Sequence, residues 1–256
     1  MVGGRVSGDR VVFVGEAMAS IVQGIAEIRS VIGQPPVVVG GLAVLCRLSN
    51  PYRATTDLDV VDRRRGGTPH LQVLRAVSGA EPVEPAAVLL PTAFGLVKVD
   101  VLEVRQVEID QPSDDPGDRL HASAHAWAHD TATNLRIGAV SAQGDSIDVT
   151  TPVAEPGPLI AMKLQAVMNR SSQKQGTDLL DIIRLAFDAG TRDVALGQIR
   201  TVHDSVARDI GLHVELWFDR RRSQTLALVR SAGAADLVFD DIDLVAELLR
   251  EASRRS

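Results

Sequence analysis

The alternation of hydrophobic and polar residues predicts that strands and helices mix in the first part of the chain. Apolar residues recur at helical spacing over residues 16–32, and Gly33 followed by Pro35-Pro36 ends that helix. Residues 1–14 are expected to pair at a sheet edge or to stay loose. The predicted strands cover residues 37–39, 56–61, 86–90, 96–104, 135–142 and 146–150, and the predicted short helices cover residues 42–48, 70–79 and 119–131.

A proline-rich stretch at residues 152–158 is the best candidate for a domain boundary. Beyond it the pattern is helical, with predicted helices at residues 159–168, 178–189, 193–209 and 240–252. We therefore expect an α+β (mixed α/β) fold. Its core domain with a mixed sheet would span residues 1–151, and a helical carboxy-terminal domain would span residues 152–256.

Composition narrows the function classes only slightly. The chain has 256 residues, of which 45% are hydrophobic and 23% charged, as is typical of globular proteins. The net charge of −6 gives no overall attraction for nucleic acid, although the arginine runs at residues 63–65 and 220–222 could contact a phosphate backbone. The single cysteine, Cys46, lies in an apolar run, which predicts a buried thiol in a reducing, cytoplasmic compartment. Neither a signal peptide nor a membrane span is expected.

Two acidic residues on one predicted strand are the main candidate for chemistry. Asp57 and Asp59 are two residues apart, so their side chains point to the same face of the sheet. Carboxylate oxygens favour Mg²⁺ or Mn²⁺, and Mg²⁺ completes its shell with waters and substrate phosphates. Asp100 lies in another apolar strand and would join the cluster if the two strands are neighbours. Three such acids can hold two ions about 3.5–4 Å apart.

A glycine pair, Gly40-Gly41, separates a predicted strand from the helix that follows it. Glycine allows backbone N–H groups to approach a triphosphate closely, and a helix amino terminus favours negative charge. The pair precedes the Asp-x-Asp strand, and this order strengthens the interpretation as a nucleotide-phosphate site.

These motifs resemble the DNA polymerase β-type nucleotidyltransferase superfamily, and the fuller match is to its AbiEii/MenT-type toxin branch. The resemblance covers about residues 20–190. It rests on the glycine pair, the two acidic strands and two later helical motifs. The residues are Gly40-Gly41-Leu42-Ala43, Arg53, Thr56-Asp57-Leu58-Asp59, Lys98-Val99-Asp100-Val101, Thr151-Pro152, residues 159–166 with Lys163, Arg170, and Asp178-Leu179-Leu180-Asp181-Ile182.

The resemblance implies an enzyme that transfers NMP from an NTP to an acceptor hydroxyl, with Mg²⁺ or Mn²⁺ as cofactor. Asp57 and Asp59 would bind the metal, and Asp100 would be the third ligand or the base for the hydroxyl. The implied partners are the NTP, a tRNA or other RNA acceptor, and a cognate antitoxin protein, with no membrane. Two other functions stay open: a small-molecule (antibiotic) nucleotidyltransferase, and a non-catalytic binding module on the same fold.

The resemblance also assigns residues to the nucleotide phosphates. Gly40, Gly41 and Arg53 would contact the triphosphate. Lys163 would contact phosphates as a compact point charge, and Asp178 would orient Lys163 or the acceptor. The basic residue expected just before Asp178 is displaced along the chain, so Asp181 is the alternative acid at this place.

Each candidate residue also has a purely structural alternative. These alternatives are surface acids for Asp57 and Asp59, an edge-strand ion pair with Lys98 or Arg105 for Asp100, a snorkelling side chain for Lys163, and an amino-terminal helix charge for Asp178.

Three histidines, His121, His125 and His129, fall at spacings of four residues on the predicted helix at residues 119–131. Such a row could bind a transition metal. Because no acid or cysteine completes a ligand set, a solvated helix face is the favoured interpretation.

Overall fold

The computed structural model describes residues 10–255, and within them eight strands form one mixed sheet. The strands are β1 (Arg10–Val14), β2 (Val37–Val39), β3 (Asp57–Arg64), β4 (Glu81–Glu84), β5 (Ala87–Thr92), β6 (Gly95–Arg105), β7 (Thr133–Val140) and β8 (Ser146–Val153). Their order across the sheet is β1-β7-β8-β2-β3-β6-β5-β4. Parallel pairing joins β1 to β7, β2 to β8 and β3 to β6, and the other neighbours are antiparallel. The predicted α+β class with a mixed sheet is confirmed.

Eleven α-helices accompany the sheet in the described part of the chain. They are α1 (Glu16–Ile32), α2 (Gly40–Arg47), α3 (His70–Arg75), α4 (Gln106–Asp110), α5 (Pro116–Asp130), α6 (Pro156–Ala166), α7 (Ser172–Phe187), α8 (Arg192–Thr201), α9 (Asp204–Val214), α10 (Arg222–Ser231) and α11 (Phe239–Ser253). A 3₁₀ turn at Val167–Asn169 follows α6, and a π-helical segment at Glu215–Arg220 follows α9. Between residues 10 and 255, no helix is both long enough and apolar enough to cross a membrane.

The chain divides into two compact units. Within the described part, the first unit comprises residues 10–106 and 128–154, and the second comprises residues 107–127 and 155–255. The first unit contains the whole sheet with α1, α2 and α3, and the second contains α6 to α11 with most of α5. The division between residues 154 and 155 lies close to the boundary predicted after residue 151. Nothing in the sequence pattern indicated that residues 107–127 belong to the helical unit.

Helix α1 packs along one face of the sheet and so fixes which strand residues point away from it. A Cβ atom on Gly24 would lie 2.9 Å from Val97 Cγ1 and 3.5 Å from Leu58 Cδ2, so α1 approaches this face closely. Leu58 therefore faces α1. Because side chains alternate along a strand, Asp57 and Asp59 point to the opposite face.

The predicted pairing of the amino-terminal segment and the predicted burial of the cysteine agree with the structure where it describes them. β1 pairs with β7 at the edge of the sheet, and residues 1–9 of the predicted segment lie outside the described residues. Cys46 is fully buried on α2. Burial raises the pKa of its thiol to about 12, so it is an unreactive apolar side chain at neutral pH.

Several predicted elements were wrong in extent. The predicted helix at residues 193–209 is two helices, α8 and α9, and the loop predicted at residues 110–118 contains the end of α4 and the start of α5. β4, the π-helical segment and α10 were not predicted. The helix predicted to start at Asp178 starts at Ser172 and includes Gly176. A Cβ atom on Gly176 would be 2.5 Å from the Leu228 backbone oxygen, so this position requires glycine. Tertiary packing here overrides the low helix propensity of glycine.

Candidate functional site

The acidic residues of the first unit lie on two adjacent strands. Asp57 and Asp59 are at the amino-terminal start of β3, and β6 runs parallel to β3 as its neighbour. In this register Asp59 is opposite Asp100, and Asp57 is opposite Lys98. Neighbouring strands are about 4.7–4.9 Å apart, so the four side chains share one face of the sheet. The strand adjacency that the third-acid prediction required is therefore present.

Asp100 already has a basic partner in the structure. Lys98 Nζ lies 3.3 Å from Asp100 Oδ1 and 3.0 Å from Glu84 Oε1, and thus bridges two carboxylates. Burial raises the pKa of Asp100; Lys98 offsets this in part, while the charge of Asp57 adds to it. Burial lowers the pKa of Lys98. The carboxylates of Glu84 and Asp100 together raise this pKa by more than burial lowers it, so the pKa lies above its ordinary value. The ion pair of Asp100 with Lys98, which was the structural alternative for Asp100, is therefore present. The prediction that Asp100 lies on an edge strand is wrong, because β6 lies between β3 and β5.

Gly40 brings the start of α2 directly against Asp59. Its φ of +62° is in the left-handed region, and a Cβ atom on it would be 1.9 Å from Asp59 Oδ2. A Cβ atom on Gly41 would be 2.9 Å from Thr55 Oγ1 and 3.0 Å from Arg53 Nη2. The glycine pair thus allows three polar side chains to approach the backbone at the amino terminus of α2.

The segment before β3 has its own hydrogen bonds. Arg53 Nη1 donates to the Ala54 carbonyl oxygen at 2.9 Å, and the Arg53 guanidinium lies 5.9 Å from the centre of the Tyr52 ring. Thr56 Oγ1 donates to Asp57 Oδ1 at 3.1 Å. Arg53, Gly40, Gly41 and Asp59 therefore lie close together, whereas Lys163, which was also predicted at the phosphates, belongs to the second unit.

Asp57, Asp59 and Asp100 are the candidate ligands for a divalent metal in the first unit. Within residues 10–255, no three His, Cys, Asp or Glu side chains are grouped as metal ligands. At this site the ammonium of Lys98 lies 3.3 Å from Asp100 Oδ1. Asp57 and Asp59 still offer hard carboxylate oxygens from one face. Mg²⁺ commonly binds one or two protein carboxylates and takes its other ligands from water and substrate phosphates, so this pair fits Mg²⁺.

The remaining predicted residues form a buried charge cluster in the second unit. Lys163 Nζ forms an ion pair with Asp178 Oδ1 and lies 2.9 Å from Asp181 Oδ2, while Arg170 Nε lies 3.1 Å from Asp178 Oδ2. The side chains of Lys163, Asp178 and Asp181 are 9%, 4% and 0% exposed. Burial lowers the pKa of Lys163, but Asp181 and Asp178 outweigh it and raise the pKa above its ordinary value.

This cluster removes two structural alternatives. A snorkelling Lys163 is wrong because its ammonium is buried between two carboxylates. A role for Asp178 as an amino-terminal helix charge is wrong because it lies inside α7 and is buried. The predicted contact of Asp178 with Lys163 is present, and Asp181 makes the same kind of contact.

The solvated face predicted for the histidines was wrong for His125. Only 4% of His125 is exposed, and its Nδ1 lies 2.6 Å from the His121 carbonyl oxygen. Burial, with a smaller contribution from His121, lowers the pKa of His125 to about 3, so the ring is neutral at physiological pH. Small alanine neighbours let this helix pack closely, and the sequence spacing alone did not indicate which histidine is buried.

Glu84 is a residue near the acids whose role was not predicted, whereas the ion pair of Lys98 with Asp100 was one of the predicted alternatives. The signal for Lys98 was its position two residues before Asp100, which places both side chains on one face. Glu84 lies on β4, a strand that was not predicted, so its proximity could not be inferred.

No protein-family model and no curated protein matches this chain. Among solved structures, it is similar to the crystal structure of an antigenic nucleotidyltransferase-like protein from Paracoccidioides brasiliensis, at 19% sequence identity. The match covers 76% of this chain and 91% of that chain, with a TM-score of 0.35. A similarity at this level is too distant to carry an argument about function.

Proposed function

We propose that the protein is a divalent-metal-dependent nucleotidyltransferase that transfers NMP from an NTP to an acceptor hydroxyl. The observation that supports this most directly is the arrangement around Asp59. Its carboxylate lies against Gly40 at the start of a helix, shares a strand face with Asp57, and is in register with Asp100. This combination joins metal-ligand chemistry to a position where phosphates bind well.

In this proposal Asp57 and Asp59 hold the metal. When bound, Mg²⁺ or Mn²⁺ neutralises phosphate charge. Backbone N–H groups at Gly41 and the start of α2 bind phosphate oxygens, and Arg53 contacts the triphosphate. These residues align the NTP for attack, so positioning and charge stabilisation carry most of the catalysis.

Asp100 is the proposed base. The acceptor oxygen forms a bond to the α-phosphorus, the bond from that phosphorus to the bridging oxygen breaks, and pyrophosphate leaves. The hydroxyl proton passes to Asp100. Lys98, at 3.3 Å, holds the Asp100 carboxylate in one orientation.

The finer proposal is that the chain acts as a toxin of the AbiEii/MenT type with tRNA as acceptor and an antitoxin as partner. Its support is the sequence resemblance, including Lys163 and Asp178. Because Asp178 and Asp181 both contact Lys163, we propose that they hold its ammonium in one orientation.

The proposal is tested by incubating the protein with each α-³²P-labelled NTP, Mg²⁺ or Mn²⁺, and one of three acceptors. These are total tRNA, a mixture of aminoglycosides, and a protein extract. We expect label to move to one acceptor, most strongly to tRNA, and to stay on the NTP when EDTA is added. Label on aminoglycosides would support a nucleotidyltransferase but would contradict the assignment as a toxin that acts on tRNA. No transfer from any NTP to any acceptor would favour the binding module.

Gly40 supplies a sharper test of the arrangement. Gly40→Ala is expected to lower transfer about 10²-fold or more, because the added Cβ must displace the Asp59 carboxylate and misplaced catalytic groups cost about that much. Gly33→Ala is the matched control. Gly33 also has a left-handed φ, of +79°, but nothing lies within 4 Å of its Cβ position.

Both variants should lose about 1–2 kcal/mol of unfolding free energy through backbone strain, measured by denaturant titration. Only Gly40→Ala should lose activity. Equal activity in the two variants would show that the contact between Gly40 and Asp59 has no role in catalysis.

A further inference from the structure

The second unit contains a pocket of about 380 Å³ that the proposed reaction does not use. It is lined by the start of α5, the end of α6 with the following 3₁₀ turn, and the end of α9. Met168 and Leu212 form apolar parts of its wall, and they are 42% and 45% exposed. A volume of this size is within the range of small-molecule sites.

Two deeply buried polar side chains line this pocket with unused hydrogen-bonding atoms. Gln165 and His213 are only 7% and 5% exposed. Gln165 Oε1 lies 3.3 Å from His121 Nδ1, and among the described residues its Nε2 has no partner. His213 Nδ1 lies 2.8 Å from the Asp209 carbonyl oxygen and so carries the hydrogen. His213 Nε2 is left as an acceptor in the neutral ring, without a partner between residues 10 and 255.

The charge of the lining residues favours a cation. Asp115 and Asp118 contribute carboxylates, and the lining contains no lysine or arginine. Asp115 Oδ1 accepts hydrogen bonds from the backbone nitrogens of Gly117 at 2.8 Å and Asp118 at 3.0 Å. The backbone N–H groups at the amino terminus of α5 are therefore bound to a carboxylate of the chain itself. The Asp118 carboxylate forms no ion pair or hydrogen bond within the described chain. Phosphate ligands are therefore disfavoured here.

Arg119, the nearest arginine in sequence, does not change this balance. Its Nη2 and Nε lie 2.6 and 2.7 Å from the two carboxylate oxygens of Asp209, which is fully buried. Such a bidentate pair fixes the guanidinium.

We propose that this pocket binds a small ligand that carries both ammonium and hydroxyl groups, of the amino sugar class. Its ammonium donates to Asp118, one of its N–H or O–H groups donates to His213 Nε2, and a hydroxyl oxygen accepts from Gln165 Nε2. Its carbon skeleton packs against Met168 and Leu212. The inference concerns binding alone and is independent of the proposed nucleotidyl transfer.

The test is an NMR titration of the full chain, labelled with ¹⁵N on histidine, with glucosamine, glucose and putrescine. We expect saturable shifts at His213 with glucosamine, and a Kd about tenfold lower than for glucose or putrescine, as expected for one charge-assisted hydrogen bond. Glucose lacks the ammonium and putrescine lacks the hydroxyls. Equal affinity for putrescine would reduce the site to a general cation surface and overturn the proposal.

Matched variants locate the site. Asp118→Asn should raise the Kd for glucosamine about tenfold, to the value for glucose. Asp193→Asn is the control, since Asp193 is likewise an acid in the first turn of a helix, α8, and the charge change is the same. Met168→Lys, at a wall residue that is 42% exposed, should abolish the shifts.

Absence of saturable shifts, or equal weakening by Asp118→Asn and Asp193→Asn, would contradict the proposal. The ¹⁵N histidine spectrum of each unliganded variant checks that the unit remains folded.

Discussion

Asp59→Asn is expected to lower metal-dependent NMP transfer at least about 10³-fold, because stabilisation of phosphate charge by a bound metal contributes several kcal/mol to the barrier. The substitution keeps the shape of the side chain and removes its negative charge. Asp57→Asn should have an effect of the same size, since both carboxylates face the same side of β3. The measurement is initial rates of label transfer from α-³²P-NTP at saturating metal.

Asp145→Asn is the matched control for this experiment. Asp145 is an exposed aspartate of the same unit, in the turn between β7 and β8, and the charge change is the same. Its activity should equal that of the unmodified protein. If Asp59→Asn and Asp57→Asn also keep their activity, the two acids have no catalytic role and the proposed site is wrong.

Asp181→Ala is expected to lower the free energy of unfolding by about 3–5 kcal/mol, because it leaves part of the charge of Lys163 uncompensated in a buried place. Asp181 is 0% exposed and lies 2.9 Å from the Lys163 ammonium. Urea unfolding followed by circular dichroism measures the change. The double variant Lys163→Met with Asp181→Leu should recover most of the loss, since Asp178 keeps Arg170 at 3.1 Å.

The raised pKa of Lys163 adds a pH dependence to this prediction. A lysine whose pKa is higher in the folded than in the unfolded chain stabilises fully below the unfolded value of about 10.4. That contribution is lost as the pH rises through the folded-state pKa. The unmodified protein should therefore lose stability above about pH 10 more steeply than Lys163→Met does. Equal steepness, or a loss well below 1 kcal/mol in Asp181→Ala, would mean that the cluster is not a stabilising ion network.

The elements that position the candidate site could be predicted from sequence because their signals are local. The apolar run at β2, the glycine pair and the alternation at Asp57-Leu58-Asp59 each define a strand, a turn or a face without reference to distant residues. The mixed sheet also followed from such runs. Strand order and register did not, since they depend on long-range pairing such as that of β3 with β6.

The predictions that failed depended on tertiary packing. Gly176 lies inside α7 because α10 passes too close for a larger side chain, and α10 itself was not predicted. His125 is buried although it has the same spacing as its neighbours, so a helical row of polar residues does not reveal which one faces the core. The contact of Lys98 with Glu84 depends on β4, which was not predicted, and it leaves Lys98 between two carboxylates.

If Asp57 and Asp59 together hold a divalent ion beside a nucleotide, the binding of the nucleotide must depend on that ion and on both carboxylates. Isothermal titration calorimetry with α,β-methylene-ATP and the other non-hydrolysable NTP analogues tests it directly, with Mg²⁺ and with EDTA. We expect binding of one or more analogues that requires Mg²⁺ and is lost in the double variant Asp57→Asn with Asp59→Asn. Binding of the same affinity in EDTA, or in the double variant, would contradict the account.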